Sequence, residues 1–302
     1  MKKSRSLLGI EQLDRDDINS VLRLARRMQL GRPRPLLRDR RIALLFYEPS
    51  TRTRVSFEFA AKALGAITTV VHAAASSIEK GESLIDTGLT LRATGADAIV
   101  IRHPSSGAPH LLARHLDIPV INAGDGLHEH PTQALLDAYT ILRHKNQFRG
   151  LKVAIIGDIY HSRVARSNIH LLSKSGVQVT LCGPPGLLPE VAASLGPGVR
   201  FTRHIDEALR GADVVMVLRV QKERLAGLPL HMDEYIAGYQ VTPERLRLAK
   251  HDAILMHPGP MVRGVELSGD LADDPASVIN EQVANGVCVR MAVLVTALGA
   301  AR

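Results

Sequence analysis

Arg41-Ile42-Ala43-Leu44-Leu45-Phe46-Tyr47, then Glu48-Pro49-Ser50-Thr51-Arg52-Thr53-Arg54, then Val55-Ser56-Phe57-Glu58 is the stretch whose reading decides the fold. Its first seven residues read as a strand and Thr53–Leu64 as a helix, with a dense polar cluster at the junction. Hydroxyls at 50, 51 and 53 and a guanidinium at 52 surround the start of that helix. Backbone N–H groups there, with a dipole end worth roughly +0.5 charge, favour an anion. Arg52 can add a two-pronged bond to a phosphate. A bare Ser-Thr-x-Thr pattern would read as a helix cap beside solvated arginines, but four polar groups packed this closely favour phosphate.

The same strand–helix rhythm runs outward in both directions. Further strands are expected at Ile67–His72, Ala98–Arg102 and Pro119–Asn122, with a helix at Leu84–Ala93. The second half repeats the pattern with strands at Lys152–Gly157, Gln178–Cys182, Arg200–Arg203, Asp213–Arg219 and Ala253–His257. Such alternation predicts an α/β protein of two domains, each a mostly parallel sheet flanked by helices. Ligands of open α/β sheets collect beyond the carboxyl ends of strands, so the polar clusters that follow these strands point to an active site in the interdomain cleft. Between the halves, Ala134, Leu135, Ala138, Ile141 and Leu142 fall at helical spacing; Pro131 suits the first turn and His130 the cap. The domain boundary is expected after residue 147: residues 1–147 form one domain, 148–280 the other, and a C-terminal helix, 281–302, returns to the first.

Composition bounds the function. The 302 residues are 45% hydrophobic and 23% charged, too long for one ordinary core, and no apolar run nears the ~20 residues that cross a bilayer. A basic start, Met1-Lys2-Lys3-Ser4-Arg5, is not followed by a signal-peptide apolar stretch, so a cytoplasmic protein is expected. Cys182 and Cys288 match no metal or redox spacing and read as buried thiols. A net charge of +8 could serve nucleic acid or anionic substrates; scattered arginines and 3% aromatics without tryptophan argue against a base-stacking platform. His128 and His130 flank Glu129, but no third metal ligand stands nearby in sequence, and Pro131 already explains the local geometry.

Ser50-Thr51-Arg52-Thr53-Arg54 resembles the carbamoyl-phosphate signature of the aspartate and ornithine carbamoyltransferases, and His130-Pro131-Thr132-Gln133 resembles a second signature of that family. The resemblance runs from about residue 5 to 300 with motifs in family order. It implies that Ser50, Thr51, Arg52 and Thr53 hold the phosphate, and that Thr53, Arg102 and His130 polarise the carbamoyl oxygen. Gln133 would accept from the carbamoyl NH2, and the backbone at Gly259 and Pro260 would touch the same group. Catalytic roles fall by resemblance to Arg52, Thr53, Arg102 and His130. In Ser76-Ser77-Ile78-Glu79-Lys80, Ser76 and Lys80 would reach into a neighbouring subunit's site. Arg163, Arg219, Gln221 and Lys80 would bind the amino-acid substrate, while Glu48 and Arg224 match residues that tie the domains together in the closed state.

Two arginines suit a dicarboxylate, because paired guanidinium–carboxylate bonds supply charge and geometry together. The ornithine enzymes carry His-Cys-Leu-Pro where this chain has His257-Pro258-Gly259-Pro260, which favours L-aspartate. The resemblance thus implies carbamoyl transfer to aspartate, an early committed step of pyrimidine (UMP) biosynthesis. It implies no metal, no cofactor, no nucleic acid and no membrane. It further implies a homotrimer with shared sites, and leaves open a larger assembly with a regulatory or dihydroorotase-like chain. Rival readings are an ornithine enzyme, a non-enzymatic homologue, or a nicotinamide dehydrogenase suggested by Val153-Ala154-Ile155-Ile156-Gly157-Asp158, which lacks the glycine-rich fingerprint.

Overall fold

Every residue of the strand β1 (Arg41–Phe46) after its first is buried, as expected for a parallel sheet covered by helices on both faces. The computed structural model describes residues 6–31, 34–72, 81–220 and 231–300. In its first half β1 is preceded by α1 (Arg15–Leu30) and followed by α2 (Thr51–Ala63), β2 (Ile67–His72), α3 (Leu84–Ala93), β3 (Ala98–His103), α4 (Ala108–His115), β4 (Val120–Asp125) and α5 (Pro131–Lys145). The four strands are parallel in the order β2-β1-β3-β4. Ala43, Leu45, Ile99, Ile101 and Val120 pack with Leu112 of α4 on one side of the sheet.

The second half holds β5 (Lys152–Ile156), α6 (Arg163–Lys174), β6 (Gln178–Cys182), β7 (Val199–Thr202), α7 (Ile205–Leu209), β8 (Val214–Val217), α8 (Met232–Tyr239), α9 (Pro243–Leu246), β9 (Ile254–Met256) and α10 (Ile279–Ala297). Its five strands are also parallel, ordered β7-β6-β5-β8-β9. The expected fold class is therefore the one observed: two parallel sheets flanked by helices. The chain divides into two compact units; one runs to Tyr139 and resumes at Ala284, and the other spans Thr140–Val283. No helix among the described residues is long and apolar enough to cross a membrane.

Several element ends differ from expectation for identifiable reasons. β4 continues past Asn122 because the β3 register shifts beyond Ile101 and His103 then pairs with Asp125. β7 begins at Val199 and stops before Arg203, whose guanidinium donates to the carbonyls of Gly183 and Leu188 at 3.3 and 2.8 Å. β8 and β9 are shorter than expected, their mutual ladder ending at Met216 and Met256. α1 was not anticipated, although Asp14 caps it by accepting from the Asp17 amide at 2.7 Å, and Ile18, Val21, Leu22 and Ala25 line its buried face.

Candidate active site

In the first sheet the chain adds β2 on one side of β1 and then crosses to place β3 on the other. The order therefore reverses between β1 and β3, and ligands of open α/β sheets gather beyond the carboxyl ends at such a point. Phe46 and Arg102 are register partners at that edge, and the Tyr47 amide donates to the Arg102 carbonyl at 2.9 Å. This is where β1 hands over to α2.

At the start of α2 a capping hydroxyl is available but goes unused. Asp14, Ser83, Ser162 and Thr242 each cap a helix by accepting from the amide three residues on. Ser50 stands in the same place but its side chain makes no cap bond, and no acidic residue lies in the first turn. The first intrahelical bond runs from the Arg54 amide to the Ser50 carbonyl at 3.1 Å. Amides ahead of it lack helical acceptors and point at whatever anion lies before the helix. Thr51 and Arg52 are exposed, while Thr53 is only 5% exposed. The capping alternative is thus not realised; the arrangement suits an oxyanion.

Arg102 adds a cation at the same edge, half-buried, with its Nε donating to Glu48 at 3.2 Å. Its neighbour His103 accepts from the Ser105 amide through Nδ1 at 2.9 Å, and burial holds its imidazole below the ordinary range. From β4 the chain turns through 125–130 into α5. His130 is buried, and its carbonyl accepts from the amides of Gln133 and Ala134 at 3.0 and 3.2 Å, with Pro131 opening the helix. Gln133, also buried, donates through Nε2 to Asp137 at 2.9 Å.

The turn that presents His130 is tied down by two acids that sequence reading did not single out. Asp125 is fully buried and accepts from the Gly107 amide at 2.7 Å, Asn122 Nδ2 at 2.7 Å and the Glu129 amide at 3.1 Å, with His128 Nδ1 3.1 Å away. Burial pushes its carboxyl upward, but the His128, Gly107 and Asn122 bonds outweigh that and hold it below the usual carboxylate range. Glu129 accepts from the amides of Ile10 and Glu11 at 2.8 and 3.2 Å. The glycines on either side of Asp125, both at positive φ, were the available signal for a built turn.

His110 of α4 supplies what the sequence around His128 lacked: His110, Asp125 and His128 each bring one ligating atom within 4.8 Å of the others. Of the residues around Glu129 considered in the sequence, only His128 belongs to this group. A carboxylate offers about four lone-pair sites, however, and those of Asp125 are already met by Gly107, Asn122, Glu129 and His128. The group reads as a loop staple.

The second sheet reverses its order between β5 and β8. Gly157 follows β5 at φ +125°, and a Cβ there would lie 2.8 Å from the Leu218 carbonyl oxygen, so only glycine lets the two strand ends approach. Buried Asp158 accepts from the His161 amide at 3.0 Å, Ser162 caps α6 through the Ala165 amide at 3.0 Å, and Arg163 opens that helix half-buried. Arg219 lies two residues beyond β8, half-buried, with its Nε buried and meeting no hydrogen-bond acceptor among the described residues. A guanidinium held in this way is prepared for an anion.

Beyond β9, the Gly259 amide donates to His257 Nδ1 at 2.8 Å, His257 Nε2 lies 3.2 Å from Glu266, and the Gly259–Pro260 peptide is cis. Arg163, Arg219, Gly259 and Pro260 thus share the carboxyl edge of the second sheet, as Ser50, Thr51, Arg52, Thr53, Arg102, His130 and Gln133 share that of the first. Ser76, Lys80, Gln221 and Arg224 lie outside the described residues.

Two parallel α/β units, each with cations at its topological switch point, define a protein that handles anionic small molecules. Residues 5–143 match the carbamoyl-phosphate-binding domain model of the aspartate/ornithine carbamoyltransferases, and residues 149–297 match the aspartate/ornithine-binding domain model. The chain belongs to the aspartate/ornithine carbamoyltransferase family. It is 64% identical over 297 residues to the aspartate carbamoyltransferase catalytic subunit of Koribacter versatilis, covering 98% of each chain. Among solved structures it resembles ornithine carbamoyltransferase from Pyrococcus furiosus at 29% identity and TM-score 0.89, covering 99% of this chain and 98% of that one. It also resembles Trypanosoma cruzi aspartate transcarbamoylase in complex with carbamoyl aspartate and phosphate, at 36% identity and TM-score 0.87, covering 97% and 95%. Backbone likeness therefore does not separate the two acceptors.

Proposed function

We propose that this carbamoyltransferase moves the carbamoyl group of carbamoyl phosphate to the amine of L-aspartate, giving N-carbamoyl-L-aspartate and phosphate for pyrimidine synthesis. The observation that carries the choice of acceptor is Arg219 at the second switch point, its Nε buried without an acceptor among the described residues, with Arg163 at the start of the helix that follows the adjoining strand. Aspartate brings two carboxylates to be met by cations, whereas the δ-amine of ornithine would need an anionic or polar partner. The relative of 64% identity, named an aspartate carbamoyltransferase, supports the same choice.

In this reading residues 1–147 with 281–302 take carbamoyl phosphate, and residues 148–280 take aspartate. The amides and hydroxyls of Ser50, Thr51 and Thr53, with Arg52, hold the phosphoryl group. Thr53, Arg102 and His130 donate to the carbamoyl oxygen as the neutral aspartate amine attacks the carbonyl carbon and negative charge grows there. Gln133 and the backbone of Gly259 and Pro260 hold the carbamoyl group. As the tetrahedral species collapses, the C–O bond to phosphate breaks and the departing phosphate takes the amine proton. Arg163, Arg219 and Gln221 bind the aspartate carboxylates.

A cytoplasmic homotrimer completes the proposal, with Ser76 and Lys80 entering the site of a neighbouring subunit and Lys80 reaching aspartate. Mixing inactive Arg52→Ala and Lys80→Ala chains should then restore some activity; none after subunit exchange rejects shared sites. The primary test is formation of carbamoyl aspartate by the purified chain, with ornithine as the competing acceptor. Faster carbamoylation of ornithine overturns the assignment.

A further inference from the structure

Gln133 is one of the proposed carbamoyl contacts, yet nothing in its own side chain decides which end of its amide faces the ligand. The fold decides it. Nε2 of Gln133 donates to Asp137 Oδ1 at 2.9 Å, one turn further along α5. An ionised carboxylate only accepts, so the amide NH2 is drawn to Asp137 and Oε1 is turned to the opposite side. Asp137 itself is fully buried.

A buried carboxylate needs hydrogen bonds or a compensating charge, and Arg290 of α10 is one cation that interacts with Asp137 electrostatically. That guanidinium is 3% exposed and lies 5.2 Å over the ring of Phe57, a residue of α2 that is completely buried. Its seat is cut for it: at Gly286, one turn earlier on α10, a Cβ would stand 2.3 Å from the Arg290 Nη1. Burial lowers the Arg290 pKa to about 10, with Asp137 opposing the fall, so it stays charged at neutral pH. Nε of Arg290 meets no acceptor among the described residues. A buried cation with an unanswered donor is a poor way to gain stability. Its position explains it better: it bridges α5, which carries Gln133, and α2, whose first turn forms the phosphate loop.

We propose that Asp137 is a positioning residue that fixes the Gln133 amide with Oε1 towards the NH2 of the bound carbamoyl group, so that the site distinguishes a carbamoyl from an acetyl ester of phosphate. The inference rests on the carbamoyl-transfer reading above. Acetyl phosphate has a methyl group where carbamoyl phosphate has NH2, so it offers Gln133 no donor and senses only the remainder of the site.

The test measures dissociation constants of carbamoyl phosphate and acetyl phosphate for the full-length protein, alongside carbamoyl aspartate formation. Asp137→Asn frees the amide to turn over. It should weaken carbamoyl phosphate about tenfold, the worth of one hydrogen bond, and leave acetyl phosphate within about twofold. Should that variant not fold, Asp137→Leu with Arg290→Met replaces the pair by apolar groups of similar size, an exchange that buried ion pairs often tolerate, and the same selective loss is expected. Gln133→Met should reproduce the loss, and adding Asp137→Asn to it should cost nothing more. Equal weakening of both esters, or none, overturns the positioning role. If Gln133→Met leaves the preference between the esters intact, the carbamoyl contact itself is wrong; if the unaltered protein makes no carbamoyl aspartate, the functional reading fails before the inference is reached.

Discussion

Replacing Arg219 with Met separates binding of the amino-acid substrate from everything else the chain does. The side chain lies beyond β8 with Nε buried and no acceptor among the described residues. If it meets an aspartate carboxylate through two charge-assisted bonds, each worth about 1.5–3 kcal/mol, its loss removes about 3–6 kcal/mol from transition-state binding. At about 1.4 kcal/mol per tenfold, kcat/KM for aspartate should fall by about 10²–10⁴. Stability should move the other way or not at all, because Met removes a buried donor that the folded protein leaves unanswered. The assay pairs steady-state carbamoyl aspartate formation with a thermal melt and with carbamoyl phosphate binding, which depends on the first sheet's edge and should stay within about twofold. Unchanged aspartate KM and kcat, or a fall in Tm beyond the 2–4 °C that about 1 kcal/mol produces, would refute the reasoning.

Other expectations concern particular residues. His130→Ala should lower turnover by about 10²–10³ through loss of an oxyanion donor, with phosphate binding altered only a few-fold; a competition assay with inorganic phosphate separates the two. Gly157→Ala places a Cβ 2.8 Å from the Leu218 carbonyl at φ +125°, so denaturant unfolding should show a loss of more than about 1 kcal/mol, and equal stability would contradict the tight β5–β8 approach. The Asp125 carboxyl sits below its ordinary range because the His128, Gly107 and Asn122 bonds outweigh burial. A depressed carboxylate pKa contributes stability above the unfolded value, roughly 3.9, which is lost as pH falls through the folded value. The stability advantage over Asp125→Asn should therefore be full near pH 7 and shrink below about pH 4; a gap independent of pH in urea titrations would reject this origin.

Parallel α/β architecture was legible because buried strands leave apolar runs, as at residues 42–46 and 98–101; Ile67–His72, Gln178–Cys182 and the helix Leu84–Ala93 have the limits that the residues suggest. The charged edge of the site was legible too, since hydroxyls and arginines cluster where strands end. What sequence could not supply was the pairing of distant groups. Arg102 is joined to Glu48, and His110 meets Asp125 and His128, only because β1, β3, β4 and α4 converge. The silence of Ser50 as a cap was likewise invisible: four hydroxyls or carboxylates elsewhere in the chain occupy the same helix position and do bond.

That last feature bears on the exit from the proposed reaction. On the proposed reading, inorganic phosphate, once formed, would meet the same amides at the head of α2 that hold its ester, and would lose only the carbamoyl contacts. Whatever tightness the loop lends to capture is therefore inherited by product departure. A replacement that sharpened affinity at positions 50–53 would slow the cycle at its end, while one that let Ser50 cap its own helix would hasten release at the expense of uptake.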